Sequence, residues 1–375
     1  MTFPLEMASP DALGLAREPL ERLNETITHH ITEGRYPGAQ VAIARHGKLA
    51  MVRTFGDARL DPQRAPARDD TLWLLYSNTK VITASALWVL AERGAFRFTD
   101  PVAVHLPGFE AEGKGAITFI QLLSHQGGFP NADVPSAAWE DHELLRKRVC
   151  EFTLEWAPGS RVHYHGRSAH WVAAAVIEAL TKTDYRAFVR DTIAHPLGLG
   201  EELFVGVPEA QQHRTVDMHE PSTDGTRQIK RSEENNAAFR KAGTPAGGGY
   251  ATARAMAAFY QMMLGGGTLN GRRVLSSRTI QYVTRNVTGE RVDGYMGMPM
   301  HRGLGPHTRG TTHTIRGLGS FASPRTFGHG GVGSSYCWAD PDSGVSFAYL
   351  TNGRVADPWH SQRLDVISNF VHTSI

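Results

Sequence analysis

The chain has 375 residues, of which 41% are hydrophobic and 20% are charged, which is ordinary for a globular protein of one large domain or two closely packed ones. A formal net charge of +2 gives no electrostatic argument for binding to nucleic acid or to an anionic membrane. The two cysteines lie far apart in the sequence, and no stretch approaches the roughly 18 apolar residues that a membrane helix needs. Met1–Arg17 lacks the basic start and apolar stretch of a signal peptide, so we expect a soluble cytoplasmic protein.

The N-terminal part of the chain predicts a helix followed by a β-hairpin. Apolar residues recur at helical spacing in Pro19–His30, which indicates an amphipathic helix. Gln40–Arg45 and Leu49–Phe55 read as two strands joined by a tight turn at His46-Gly47.

The middle of the chain, from about 90 to 205, is mostly helical in pattern. A long polar stretch without a steady period follows, Glu209–Ala242, and predicts an excursion over the surface. The predicted helices cover Ile117–Ser124, Glu143–Phe152, Ser168–Thr181 and Tyr185–His195.

The last third of the chain begins with helices and ends in strands. Helices are predicted for Thr252–Leu264, with Thr252 as the N-cap, for Ser276–Asn286 and for Leu364–Val371. Strands are predicted for Thr326–Gly333, Ser335–Asp340 and Val345–Thr351.

The order of these elements predicts an α/β (α+β) protein whose two ends pair in one sheet. We expect a mixed, mainly antiparallel sheet flanked by helices, together with a mostly helical lobe. The sheet domain would be discontinuous, with residues 1–90 and 245–375, and the helical domain would comprise 91–244. The active site would lie at their interface.

Ser77 and Lys80 form the one Ser-x-x-Lys sequence in the chain. An apolar run stops at Ser77 and a helical pattern continues to about Arg93, so the serine lies near a helix N-terminus that favours developing negative charge. Lys80 falls on the same face one turn later, where an amine can activate a hydroxyl. The plainer alternative is an N-cap serine beside a solvated lysine, but Lys80 is followed by apolar and small residues, which favours burial.

Tyr164 is the best candidate for a second proton-transfer group. It follows a Pro158-Gly159 turn and precedes the helix predicted from Ser168. A free tyrosine has a pKa of about 10, and a cationic Lys80 within hydrogen-bond reach would lower that pKa by favouring the phenolate. The alternative is that Tyr164 only anchors its loop.

His329 lies in a glycine-rich segment, Phe327–Ser335, of a late predicted strand. Glycines allow a strand backbone to approach a ligand closely and to direct an N–H group at a carbonyl oxygen. The alternative is a glycine-rich sheet edge with His329 on the surface.

Taken together and in this order, Ser77-x-x-Lys80, Tyr164 and His329-Gly330-Gly331 resemble the motifs of serine hydrolases in the β-lactamase and penicillin-binding-protein superfamily. The similarity is greatest to the class C β-lactamase-like esterases and spans about residues 15–372. Supporting stretches match in the same order: Pro37–Gln40, Leu122–Gly128, Pro196–Leu199, Ala246–Ala253 and Leu350–Gly353.

The resemblance implies a role for each matching residue. Ser77 would be the acylated nucleophile, Lys80 its activating partner, and Tyr164 the general base that also protonates the leaving group. The backbone N–H groups of Ser77 and Val332 would form the oxyanion hole. We expect contacts to substrate from His329, Gly330 and Gly331, and also from His165. How the base role divides between Lys80 and Tyr164 stays open.

Two departures from the family motifs bear on the substrate. Tyr164-His165-Gly166 stands where the β-lactamases have Tyr-x-Asn, and His329-Gly330-Gly331 stands where they have Lys-Thr-Gly. The missing amide and the replacement of lysine by a largely neutral histidine argue against antibiotic hydrolysis and favour small esters.

We therefore expect a serine carboxylesterase that acts through an acyl-enzyme on a small-molecule ester. The alternatives are an acyltransferase using the same acyl-enzyme, an amidase, peptidase or β-lactamase, and a catalytically silent binding domain. No cofactor is implied, and the histidines show no metal-ligand spacing. We expect no nucleic-acid or membrane partner, and a homo-oligomer stays open.

Overall fold

The computed structural model describes residues 3–225, 228–313 and 317–375. Its strands, numbered in chain order, are β1 (Glu6–Met7), β2 (Gly38–Arg45), β3 (Lys48–Arg59), β4 (Ala65–Pro66), β5 (Trp73–Leu74), β6 (Leu203–Val205), β7 (His219–Pro221), β8 (Gln228–Lys230), β9 (Gly249–Ala251), β10 (Thr268–Leu269), β11 (Arg272–Arg273), β12 (Val292–Asp293), β13 (Met298–Pro299), β14 (His307–Thr308), β15 (Phe327–Gly330), β16 (Tyr336–Asp340) and β17 (Val345–Thr351).

The α-helices lie between and around these strands. They are α1 (Arg17–Thr32), α2 (Thr79–Glu92), α3 (Phe119–Leu123), α4 (His142–Cys150), α5 (Ser168–Thr181), α6 (Tyr185–Val189), α7 (Ala237–Ala242), α8 (Ala253–Leu264), α9 (Ser277–Val283) and α10 (Trp359–His372).

The main sheet joins the two ends of the chain. Its strand order is β1-β3-β2-β17-β16-β15-β14, and β4 pairs with β3 at one end. The pairing is antiparallel except between β1 and β3, and β2 lies beside β17 with Val41 opposite Tyr349. The predicted hairpin turn is present, since His46 and Gly47 both have positive φ, at 50° and 76°. The predicted fold class is therefore confirmed.

The two faces of the sheet carry side chains of different size. On β2, Val41 and Ile43 belong to the core that α1 and α10 cover, whereas Ala42 and Ala44 belong to the core that contains α8. Successive side chains of a strand point to opposite faces, so this alternation gives α8 a close approach over small residues. Both faces are buried, which explains why β2 and β17 are buried along nearly their whole length.

Helix α2 is buried on all sides. Every residue from Thr79 to Leu90 is buried, and the helix packs against α5 and α9 and against β15. A helix that is apolar all round belongs inside a large protein rather than on its surface. Because α2 touches both the sheet strands and the helical middle of the chain, we keep the division into 1–90 with 245–375 and 91–244 as a proposal.

A small sheet that the sequence analysis missed leads the chain into α2. β5 and β6 both pair antiparallel with β9, so that Trp73 lies opposite Ala251. Strands of two or three residues, contributed from three distant places, leave no periodic signal in the sequence.

Several predicted bounds differ from those observed. The closing helix predicted for Leu364–Val371 begins at Trp359, and the helix predicted for Tyr185–His195 is α-helical only to Val189, then continues as a π-helical turn. Glu209–Ala242 contains β7, β8 and α7 and is more ordered than an irregular excursion. Among the residues described, none of the helices combines the length and hydrophobicity that a bilayer crossing requires.

Candidate active site

Ser77 lies in a single 3-10 turn, Tyr76–Asn78, between β5 and α2. Tyr76 has φ of 45°, in the left-handed region that a bulky residue rarely occupies, and its hydroxyl donates to Glu234 Oε1 at 2.9 Å. Backbone strain of this kind persists only where the surroundings enforce it and is common at active sites. The turn leaves Ser77 half-buried at the entry to α2.

Lys80 is completely buried, as the sequence analysis favoured. Its Nζ donates to the Gly166 carbonyl at 2.7 Å and to the Ala246 carbonyl at 3.0 Å, and it lies 3.1 Å from Ser77 Oγ. Burial lowers the pKa of Lys80 well below its ordinary value, and the positive charge of Arg302 lowers it further. A lysine with a lowered pKa is present as the neutral amine, the form that can accept a proton, at lower pH than an ordinary lysine is.

Tyr164 is the second group at the Ser77 hydroxyl. Its phenol donates to Ser77 Oγ at 2.8 Å, and Lys80 Nζ lies 5.1 Å from the centre of its ring. The expectation that Lys80 lowers the pKa of Tyr164 is wrong, because burial dominates and raises that pKa to about 12 despite the hydrogen bond with Ser77. Tyr164 is therefore protonated at neutral pH.

The glycine-rich end of β15 lies directly against the Ser77 turn. A Cβ on Gly331 would lie 2.7 Å from the Leu75 carbonyl oxygen and 3.1 Å from Tyr76 Cβ, so only glycine allows this approach. The next residue, Val332, is exposed, and its backbone N–H donates to no residue that the structure describes. Ser77 and Val332 border the same cavity.

That cavity has a volume of about 200 Å³. Its walls combine glycine, methionine, tyrosine, leucine and valine residues with several polar and charged side chains, so the cavity suits a small molecule that carries polar groups. The lining residues are Ser77, Tyr164, Tyr295, Met296, Met300, Arg302, His307, Gly317, His329, Gly330, Gly331, Val332, Gly333, Tyr336, Asp357, His360, Ser361 and Leu364.

His329 lies at this cavity, with Gly330 and Gly331 beside it. Its Nδ1 donates to the Gly330 carbonyl at 2.8 Å, and burial lowers its pKa to about 3, so the ring is neutral. A neutral ring cannot replace the charge of a lysine at this position.

His165 does not reach the cavity, and the prediction that it contacts substrate is corrected. The ring is buried; its Nδ1 donates to the His163 carbonyl at 2.7 Å, and its Nε2 accepts the Phe129 N–H at 3.2 Å. With both nitrogens engaged inside the protein, His165 supports the loop that carries Tyr164.

The sequence analysis did not connect two charged residues with Tyr164. Arg302 and Asp293 form a buried ion pair, with Nη2 and Oδ2 2.7 Å apart, and Arg302 also lines the cavity. No local sequence pattern indicates this pair, because its possible role depends on contact with Tyr164, which is more than a hundred residues away in the sequence.

A possible cation site lies elsewhere, on the helical part. Among the described residues, one group of three offers closely spaced ligand atoms, namely His142, Glu178 and Asp184, within 4.8 Å of one another. His142 already bonds to both carboxylates, with Nδ1 2.8 Å from Glu178 Oε1. This arrangement is explained as an ordinary surface network.

Comparisons with known proteins extend over nearly the whole chain. A profile of the beta-lactamase family matches residues 23–367. The esterase/beta-lactamase LipL of Mycobacterium tuberculosis is 29% identical over 322 residues, which are 78% of this chain and 72% of that protein. A putative D-alanyl-D-alanine carboxypeptidase of Escherichia coli is 26% identical over 390 residues, covering 94% of this chain and 87% of that one.

Solved structures share the fold. The crystal structure of a family VIII carboxylesterase has a TM-score of 0.81 at 26% identity and covers 96% of this chain and 99% of its own. The names of these similar proteins refer to esters, β-lactams and peptides, so they leave the substrate class open.

Proposed function

The chain belongs to the beta-lactamase family, and from this premise we propose that it cleaves carboxylic esters of small molecules through a covalent acyl-enzyme on Ser77. The observation that carries the proposal is the convergence of two groups on one oxygen. Lys80 Nζ lies 3.1 Å and the Tyr164 hydroxyl 2.8 Å from Ser77 Oγ. A serine hydroxyl needs such partners before it can attack a carbonyl carbon.

The two partners have different tasks in acylation. The lowered pKa of Lys80 suits the amine to take the Ser77 proton as Oγ attacks the ester carbonyl. Tyr164, whose pKa is about 12, holds its proton until the alkoxide leaves and then donates it. The proton that Lys80 takes from Ser77 then replaces the one that Tyr164 gives to the leaving group. Lys80 and Tyr164 therefore act as a coupled pair, and neither is the sole base.

The backbone N–H groups of Ser77 and Val332 stabilise the oxyanion in this scheme. Support comes from the position of Gly331, which lets the end of β15 lie against the Ser77 turn, and from the N–H of Val332, which donates to none of the described residues. Donors of this kind act on charge that develops in the transition state, and each is worth on the order of 10²–10³ in rate. In deacylation a water molecule attacks the acyl carbon, and the proton transfers run in reverse.

Neutral esters suit this cavity better than β-lactams or peptides. His329 is neutral, and the guanidinium of Arg302 is already paired with Asp293. A substrate carboxylate would find no uncompensated lysine at the end of β15, and Gly166 supplies no side-chain amide. For these reasons we rank β-lactamase and peptidase activity below esterase activity.

An acyltransferase would use the same acyl-enzyme and the same three side chains. The two activities differ in whether water or an alcohol or amine attacks the acyl carbon, and this partition is measured by adding acceptors to the hydrolysis reaction. The cytoplasmic location and the oligomeric state stay predictions.

The test of the proposed function is labelling and turnover by matched proteins. Wild-type protein and Ser77→Ala are treated with a fluorophosphonate, and the adduct is located by peptide mass spectrometry. Hydrolysis of a short p-nitrophenyl ester is measured in parallel. We expect one adduct on Ser77 and no activity in the variant. Labelling and turnover that survive the substitution would refute the assignment, and absence of both in the wild type would favour a binding domain.

A chromogenic cephalosporin ranks the two candidate substrate classes. We expect its hydrolysis to be much slower than that of the ester. Comparable rates would reverse the ranking.

A further inference from the structure

The hairpin formed by β12 and β13 places a buried carboxylate next to the backbone of Tyr164. Asp293 is fully buried, and its Oδ1 accepts the backbone N–H of Tyr164 at 3.1 Å. The same oxygen accepts the N–H groups of Tyr295 at 3.0 Å and Met296 at 3.2 Å. A carboxylate held by three backbone donors is fixed in position, and it fixes them in turn.

The backbone of the hairpin adds a further contact to the Tyr164 loop. Gly294 N–H donates to the Val162 carbonyl at 2.9 Å, and Val162 and Asp293 form an isolated β-bridge. The loop before α5 is therefore bound to the hairpin on both sides of His163. The position of Tyr164 depends on this connection.

Arg302 completes the arrangement from the end of the same hairpin. Its Nε and Nη2 lie 3.2 Å and 2.7 Å from Asp293 Oδ2, and its Cζ lies 4.9 Å from the centre of the Tyr164 ring. Its own backbone is held as well, since its N–H donates to Thr288 Oγ1 at 2.9 Å. A buried guanidinium in this position is held at the phenol by the protein itself.

We propose that the Arg302–Asp293 pair is a positioning device for the reaction: Asp293 holds the backbone of Tyr164, and Arg302 places a permanent positive charge against its ring. The inference rests on the proposed function, because it concerns the proton transfers at Ser77. Neither residue belongs to the motifs that the sequence analysis singled out. Both act through Tyr164, so they are positioning residues rather than catalytic ones.

The charges around Tyr164 determine the sign of the effect. The titratable and charged groups that face its ring or backbone are Lys80 from α2, His125 from the loop after α3, Asp293 from β12, Tyr295 from the hairpin turn, Arg302 from the segment after β13, and His329 from β15. Burial keeps His125 and His329 neutral. The permanent charges are therefore those of Arg302 and Asp293.

The charge of Arg302 acts in the same direction on both proton-transfer groups. It lowers the pKa of Lys80 and also that of Tyr164, whereas Asp293 raises the pKa of Tyr164. A base must lose its proton before it can act, so kcat/KM rises with pH through the pKa of the base. Removing Arg302 should move this acid limb to higher pH, whichever group is the base. A nearby negative charge raises the pKa of any base, so removing the charge of Asp293 should move the limb to lower pH.

The experiment compares Arg302→Met, Arg302→Lys and Asp293→Asn by the pH profile of kcat/KM for a p-nitrophenyl ester. Arg285→Met is the matched control, since Arg285 is exposed and stacks on Tyr282 outside the cavity. Fluorophosphonate titration gives the active fraction, so misfolded protein does not enter the rates.

We expect Arg302→Met to lose about 10²-fold in kcat/KM at neutral pH and to move the acid limb upward by about one unit. Arg302→Lys should keep the limb near its wild-type position, Asp293→Asn should move it downward, and the control should change neither. If the pair were only structural, the two variants Arg302→Met and Asp293→Asn would not move the acid limb in opposite directions.

Two results would overturn the inference. An unchanged acid limb in all three variants would reduce the pair to a structural role, and a higher KM with unchanged kcat and limb in Arg302→Met would make Arg302 a substrate-binding residue. Neither result touches the proposed function, which fails only if wild-type protein does not hydrolyse the ester or is not labelled at Ser77.

Discussion

The Tyr164 hydroxyl lies 2.8 Å from Ser77 Oγ although 87 residues separate the two in the sequence. The contact depends on the burial of α2 and on the loop before α5, which His165 and Asp293 hold from two sides. The predictions below test what this contact does.

Lys80→Ala and Tyr164→Phe should each reduce kcat by on the order of 10²–10⁴, because each removes one proton-transfer partner of Ser77. The double variant should be little worse than the poorer single variant, since groups that act as a unit do not contribute additively. Steady-state kinetics of the three variants check this. Additive losses would show that the two residues act in separate steps.

The pH profile of kcat/KM should show an acid limb well below the ordinary lysine pKa of about 10.4. Burial lowers the pKa of Lys80, so the neutral amine is already present as the pH rises past that lowered value. Activity should persist in mildly alkaline solution, because Tyr164, with a pKa of about 12, keeps its proton there. A limb near pH 10 would show that Lys80 is a cation in the working enzyme.

Gly331→Ala should abolish most activity and destabilise the protein by about 1–3 kcal/mol, as overpacking of a core does. The new Cβ would lie 2.7 Å from the Leu75 carbonyl and would push β15 away from the Ser77 turn. Gly247→Ala is the control, since its Cβ would meet Tyr76 at 3.8 Å and its φ is ordinary. Urea unfolding and ester turnover of both variants provide the comparison, and equal behaviour would contradict it.

His165→Ala and His329→Ala should affect different quantities. Removal of His165 leaves the buried Phe129 N–H without a partner, which costs about 1–3 kcal/mol of stability, and KM of the folded fraction should not change. Removal of His329 should change KM, since its ring borders the cavity. Unfolding curves and KM values of both variants and of the wild type test this prediction. An unchanged stability of His165→Ala would contradict the supporting role of His165.

Esters with compact acyl groups should be the best substrates. The cavity volume of about 200 Å³ is below the range of about 300–1,000 Å³ that is typical of small-molecule sites, so kcat/KM should fall as the acyl chain lengthens. Met300→Ala should move the optimum to longer chains, because Met300 is a buried part of the wall. A series of p-nitrophenyl esters measures this, and a flat profile would place the acyl group outside the cavity.

Much of the sheet could be predicted because its signals are local. The turn at His46-Gly47 and the alternating strands beside it define a hairpin, and the Thr252 N-cap marks the start of α8. That the two ends of the chain share one sheet was inferred from the order of elements alone, and the specific pairing of β2 with β17 was not predicted. The predicted bounds failed where the backbone changes helix type after Val189, which no side-chain period records.

The sequence predicted only those residues of the candidate site that belong to recognisable motifs. Ser77, Lys80 and Tyr164 were singled out from local sequence and then grouped by the resemblance, but the distances between them could not be derived from their spacing. The pairing of Arg302 with Asp293 beside Tyr164 was not predicted, because nothing in the sequence near either residue indicates a contact with a tyrosine so far away. His165 was misjudged because its burial depends on the loop that contains Phe129.

The pairing of β2 with β17 also constrains how the protein is made. The hairpin of β2 and β3 is synthesised well before its neighbour β17, which follows the whole helical middle of the chain. Contacts between such distant segments form slowly and leave an unprotected edge meanwhile. We therefore expect a chain that is truncated before β17 to aggregate through the exposed edge of β2 rather than to fold into a smaller protein.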